Sequence, residues 1–193
     1  MDEFARKTYI REVGLQCRLA TNAIASVDHL VQILDTGGKD VPTSQLYLEV
    51  FRGLHSFLTH VSNVSRLLWP PTPKRRSGES KESHDSRKQL SVDRGRLLRE
   101  ALKIPDDHVL RTRELRDHLE HFDERLDEWQ NTTETRALID FNIGPNIVSG
   151  VSDRDRLRNY DPGPALFTFR GETYKIKELS DAISEISARP VPS

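Results

Sequence analysis

The stretch Leu115-Arg116-Asp117-His118-Leu119-Glu120-His121-Phe122-Asp123-Glu124-Arg125 gathers the residue types that acid–base chemistry at an anionic group needs. Histidine titrates near neutrality, so His118 and His121 can each take up or release a proton. Arg116 supplies a planar donor that stays charged at any working pH. Asp117 and His121 stand at i, i+4, the helical spacing at which a carboxylate reaches an imidazole. The same stretch invites a metal reading, because His118 and His121 stand at i, i+3 with Glu114, Asp117 and Glu124 close by. Bundle enzymes with two metals use Glu-x-x-His pairs, however, and here Leu115 stands three before His118. No metal or other cofactor is therefore expected.

The flanking sequence supplies the elements that must position these groups. Residues 4–36 read as one helix, with Ile10, Val13, Cys17, Ala20, Ile24, Val27, Val31 and Leu34 on a single apolar stripe that ends at Gly37-Gly38. Pro42-Thr43-Ser44 starts a second helix, whose wider stripe runs from Tyr47 through Val50, Leu54, Phe57 and Val61 to Leu68. Pro70-Pro71 stops it. The short connection makes the two helices antiparallel neighbours. Residues 72–91, dominated by Pro, Ser, Lys, Arg and Glu, read as a mobile basic loop. A short helix follows over 92–103. Pro105-Asp106-Asp107 then opens a fourth helix over 107–130, with Leu115, Leu119, Phe122, Leu126 and Trp129 inward.

On that fourth helix, at about 100° per residue, Arg116 lies about 100° to one side of Leu115 and His121 about 120° to the other. Arg116 and His121 thus do not share a face, and converge only through a long side chain, a local irregularity or a second chain. Arg113 and His118, or Arg111 and His118, offer alternative pairings at similar spacing.

Beyond Trp129 the period changes. Leu166–Phe169 and Thr173–Ile176 flank Arg170-Gly171-Glu172 as a β-hairpin, and Leu179, Ile183 and Ile186 suggest a short closing helix. Residues 137–143 suggest a strand, and residues 144–164 read as loop. The expected fold is mainly α: an antiparallel four-helix bundle over 1–130, and an appendage over 131–193 with a small C-terminal β-hairpin and short helix.

Composition narrows the function classes. Of 193 residues, 35% are apolar and 31% charged, with a net charge of −1. That total argues against a chain that coats nucleic acid by charge alone, yet it hides a segregation. Residues 74–100 hold nine Lys/Arg against five Asp/Glu, whereas residues 105–130 hold four against nine. The one cysteine, Cys17, excludes an internal disulfide and falls on the first apolar stripe, where a packed thiol is expected. The start Met1-Asp2-Glu3-Phe4 lacks the basic and apolar segments of a signal peptide, and no run approaches the 18 apolar residues of a membrane span, so a cytoplasmic protein without membrane contact is expected. Gly-rich phosphate loops, the G-x-S-x-G elbow and the H-E-x-x-H helix do not occur.

The segment Arg116-Asp117-x-x-x-His121 resembles the signature of the HEPN superfamily, the higher-eukaryote and prokaryote nucleotide-binding domains, in which an Arg and a polar residue precede a His on a bundle helix. The likeness extends to the long helices before it, over roughly residues 4–130, and leaves out the hairpin region. It implies a metal-independent endoribonuclease of the toxin or defence type, working as a homodimer in which Arg-His pairs of two protomers meet. On that reading His121 is the general base toward the RNA 2′-hydroxyl, Arg116 stabilises the charged transition state, Asp117 orients, and His118 stands in reserve. The acidic helix would need compensating cations to hold RNA, and Arg75, Arg76, Arg94 and Arg96 are the candidates. Partners implied are RNA, a second copy and an antitoxin or other protein. The competing reading is a non-catalytic interaction or scaffold module with the same helices.

Overall fold

The first two helices form because their apolar residues fall on stripes that only a partner can cover. In the computed structural model, which describes residues 1–37, 42–111, 122–133, 136, 138–145, 151–152 and 155–189, α1 spans Glu3–Asp35 and α2 spans Thr43–Leu68. Asp2 caps α1 by accepting the Ala5 amide at 2.7 Å. Ile10, Val13, Cys17, Ala20, Ile24 and Val27 are buried on α1, all of them on the stripe read from sequence. The pairing is antiparallel: Val27, late in α1, packs on Gly53, early in α2, while Gln16 bonds His60 and Asn63 farther along.

The third helix corrects the sequence reading. Residues 81–91 are not loop; α3 runs over Lys81–Leu102. Its first half buries almost nothing, so no apolar period announces it. Ser80 caps it, accepting the Ser83 amide at 3.1 Å, and Glu82 sits in the first turn, where the helix dipole favours a carboxylate. Only its second half packs inward, through Gly95, Leu98 and Leu102. Gly95 lies so close to the chain leaving α2 that a Cβ there would stand 2.6 Å from the Leu68 carbonyl oxygen.

The start of the expected fourth helix is different as well. Pro105–His108 is non-helical and Val109–Arg111 is a single 3-10 turn. Helical structure is seen again as α4, Phe122–Thr132. The four-helix bundle is therefore not established as such; the described chain is mainly helical, with a small sheet near its C-terminal end.

That sheet is a four-stranded mixed one rather than a lone hairpin. The expected hairpin is present as β3 (Leu166–Phe169) and β4 (Glu172–Lys175). Arg170 and Gly171 both take positive φ at its turn, the geometry in which glycine is the least strained residue and which matches the twist of the strands. Two further strands join it. β2 (Arg158–Asp161) pairs antiparallel with β3 and lies inside the stretch read as loop, while β1 (Asn142–Ile143) pairs parallel with β2. The polar sequence of β2 concealed it. Asn159 is buried nonetheless, because Asn142 and the Gly144 carbonyl oxygen take up its side chain.

The closing helix, α5 (Ile176–Ser187), buries Ile176, Leu179, Ala182, Ile183 and Ile186. Phe51 of α2 meets Phe141 edge-on at 5.1 Å and Phe167 of β3 at 6.3 Å. The buried residues of α1, α2, α3, the sheet and α5 make one continuous apolar cluster.

Candidate functional site

Arg116, Asp117, His118 and His121, with Arg113, lie outside the described residues. What the structure gives is two brackets, the described chain before and after residues 112–121. The upstream bracket is the strap Ile104–Arg111, which crosses the ends of α2, α3 and α5. Ile104 and Leu110 are buried apolar anchors. The Ser65 hydroxyl of α2 donates to the Leu110 carbonyl oxygen at 2.5 Å, in a buried setting. Arg99 of α3 spans two elements: it donates to the Leu68 carbonyl oxygen at 2.5 Å and to the Asp106 carboxylate at 2.8 Å, with its guanidinium 5.6 Å over the Trp69 ring. Arg111, the first of the alternative arginines, donates to the Asp106 carbonyl oxygen at 3.1 Å.

His108 lies at the centre of this strap and is buried. Its ring stacks on Trp69, centroids 5.9 Å apart and planes 17° from parallel. Nδ1 accepts the Leu110 amide at 3.3 Å, and Nε2 stands 3.9 Å from a Glu185 carboxylate oxygen. Burial holds this imidazole below its ordinary pKa, with Glu185 pulling the other way. No spacing rule flags His108, since its partners come from elements about 40 and 80 residues away in sequence. Trp69 is buried and ends α2, its amide donating to the Ser65 carbonyl oxygen.

The downstream bracket is α4. Leu126 packs on the core from it, and the Trp129 indole donates to the buried Asp155 carboxylate at 3.2 Å. Glu128 lies 3.7 Å from Arg170, whose side chain is almost wholly enclosed. The described chain before and after residues 112–121 is thus tied to the core through named side chains.

No protein-family model, no curated protein and no solved structure matches this chain.

The four candidate RNA-contacting arginines separate into two kinds. Arg75 and Arg76 are exposed on the segment between α2 and α3. That segment is folded back by a clasp: Glu79 accepts Arg87 at 2.8 Å and the Arg76 amide at 2.9 Å, and these bonds hold its carboxyl down to about 2. Arg87 also donates to the Lys74 carbonyl oxygen. Arg94, by contrast, is turned inward, 5.2 Å over the Tyr9 ring and donating to the Arg66 carbonyl oxygen. Arg96 is exposed but shared with Glu100 at 2.8 Å and Asp93 at 3.9 Å. It borders a cleft of about 470 Å³ at the end of α3, where Arg99 and Lys103 face Glu100 and Asp106.

A second polar constellation bridges α1 and α2. His60 Nδ1 is 2.7 Å from the Gln16 amide oxygen, Asn63 donates to the same oxygen at 3.1 Å, and Gln16 in turn donates to Glu12 at 2.7 Å. Partial burial lowers the His60 pKa. The chain Glu12–Gln16–His60 aligns two helices and uses up the ring nitrogen that faces it, so it reads as a register device rather than a reactive centre. Cys17 is fully buried and its thiol is pushed up to about 11, which suppresses thiolate chemistry. Among the described residues no cluster of His, Cys, Asp and Glu could hold a metal ion, and no helix is long and apolar enough to cross a membrane.

Proposed function

We propose that this chain is a HEPN-like helical domain acting as a metal-independent endoribonuclease. The observation that carries the reading is the Arg116-Asp117-x-x-x-His121 stretch, which follows long amphipathic helices in the sequence. On this reading the stretch supplies the fourth helix of an antiparallel bundle with α1, α2 and α3. His121 takes the proton from the RNA 2′-hydroxyl, which then attacks the adjacent phosphorus and expels the 5′-oxygen to leave a 2′,3′-cyclic phosphate. Arg116 stabilises the charge gathered on the phosphoryl oxygens. Asp117 orients the base, and His118, in reserve to His121, can as an imidazolium protonate the leaving 5′-oxygen. The pairing of Arg116 with His121 across a homodimer satisfies the divergence of their directions on one helix. Arg75 and Arg76 suit contact with the RNA backbone. A toxin or defence role, with an antitoxin as regulatory partner and action in the cytoplasm, belongs to the same proposal.

A non-catalytic interaction module is the second reading. It is favoured by the nine carboxylates against four bases over residues 105–130, which repel a phosphodiester, and by the engagement of Arg94 and Arg96 with protein groups. The deciding experiment is cleavage of a mixed RNA substrate in excess chelator by the parent protein and by the Arg116→Ala/His121→Ala variant. Cleavage by the parent alone, with 2′,3′-cyclic phosphate ends, supports the nuclease. Equal silence from two well-folded proteins sinks it in favour of the module.

A further inference from the structure

The strap Ile104–Arg111 contains a group that can keep one of its partners only while it is neutral. His108 is enclosed, with its Nε2 atom sealed from solvent and out of hydrogen-bonding range of any described acceptor. Its other nitrogen, Nδ1, accepts the Leu110 amide. An imidazole nitrogen accepts a hydrogen bond only while it carries no proton. The observed arrangement therefore belongs to the neutral ring with its proton on Nε2. Adding a proton to Nδ1 turns that acceptor into a donor facing another donor, and the Leu110 amide loses its partner. The same proton places a positive charge 3.9 Å from the Glu185 carboxylate, a separation that a small ring rotation closes.

We infer that His108 is an acid-operated latch on the chain leading into the 112–121 stretch. Neutral, it braces the Val109–Arg111 turn, which the His108 carbonyl oxygen closes by accepting the Arg111 amide, through its own bond from the Leu110 amide. Protonated, it gives up that bond and turns to Glu185 on α5. The charged groups facing the ring come from three directions. Glu185 and Asp107 favour the protonated form, and Arg189, just beyond the end of α5, opposes it. Arg189 also holds the other Glu185 oxygen, so the imidazolium must share that carboxylate. From α3, Arg99 is neutralised by Asp106 beneath the Trp69 ring; from α2 the ring meets the neutral Trp69. Enclosure outweighs the carboxylates, so the latch is shut at neutral pH and opens only as pH falls below the ordinary imidazole value. The Ser65–Leu110 bond and the buried Leu110 side chain keep the strap docked while the turn loosens. The device is thus local rather than an unfolding. It stands whether or not the motif downstream cleaves RNA.

The test is an NMR titration of the full-length protein from pH 8 to pH 5, following the His108 ring and the Leu110 amide, with far-UV circular dichroism as the control for global structure. The His108 ring should titrate with a midpoint below the ordinary imidazole value. Hydrogen exchange at Leu110, corrected for its intrinsic pH dependence, should accelerate by about tenfold across the same midpoint, as expected for the loss of one hydrogen bond. Glu185→Gln should move the midpoint lower still, and His108→Asn, which keeps a side-chain acceptor without a titrating ring, should hold Leu110 protected throughout. Leu110 protection that ignores the His108 titration overturns the latch. So does a titration that coincides with loss of helical signal, or a midpoint that Glu185→Gln leaves unmoved, which keeps the idea falsifiable should His108→Asn fail to fold.

Discussion

The α1–α2 interface and the Ile104–Arg111 strap belong to one core, yet they are held by different physics. Between α1 and α2 the contact is a long run of buried aliphatic and aromatic side chains, with one polar bridge from Gln16 to His60 and Asn63. The strap has two apolar anchors, Ile104 and Leu110; the rest of its hold comes from single contacts by Ser65, Arg99, His108 and Asp106. The apolar part of that interface spreads its stability over many contacts and is indifferent to pH, which leaves His60 as its titrating contact. A strap held by individual hydrogen bonds is sensitive to each of them, and to protonation.

The contrast can be broken by substitution. Phe57 is fully buried, and Phe57→Ala should cost about 3–5 kcal/mol in chemical denaturation, with no change in its dependence on pH. A loss below about 1 kcal/mol would mean the interface is not the stabilising centre described. Gly95→Ala pits a Cβ against the Leu68 carbonyl oxygen and the Pro70 ring. It should lower stability by about 1–3 kcal/mol, whereas a gain would show that the exit from α2 yields easily. Ser65→Ala strands the buried Leu110 carbonyl oxygen and should cost about 1–3 kcal/mol. Its amide-exchange signature should be confined to the strap; an effect spread evenly over α1 and α2 would erase the distinction between the two regions.

The pH dependence sharpens the same comparison. His108 and His60 both have folded-state pKa values lowered by burial. The unfolded chain therefore binds protons more readily, and the stability these residues contribute is present above the ordinary imidazole value, declining as pH falls through it toward the lowered values. The denaturation midpoint should fall on acidification from pH 7.5 to pH 5.5, less so in His108→Asn, and least in His108→Asn/His60→Gln. A midpoint that rises on acidification would reverse the assigned signs. The smallest effect belongs to the Glu79–Arg87 clasp. Glu79→Gln should leave global melting unchanged while speeding proteolysis between Pro70 and Ser80; unchanged proteolysis would mean the clasp does not hold that segment.

Periodicity and breaker residues were enough to read α1, α2, the β3–β4 hairpin and α5, because each has an apolar stripe or alternation bounded by Gly or Pro. They failed where burial is not apolar. The first half of α3 is a capped, charged helix with little inward face, and β2 hides behind Arg158, Asn159 and Asp161. Of the proposed site residues, the chemistry of Arg116, Asp117, His118 and His121 is a matter of sequence pattern alone, since they lie outside the described residues. Arg94 shows why a basic residue in a list is not yet a surface charge: only packing revealed that it stacks inward on Tyr9.

What the sequence by itself determined, then, is the local: which segments are helical by period, where glycine and proline end them, and which short stretch holds the proton-transferring and anion-stabilising groups. What only the tertiary structure decided is the non-local: the mixed pairing of β1 and β2 with the hairpin, the single core shared by the helices and the sheet, and the environment of His108. The reason is that chain propensity acts over a few residues, whereas burial and protonation depend on what long-range folding brings alongside. Trp69 and Glu185 meet one imidazole from opposite ends of the chain, and no spacing in the sequence records that meeting.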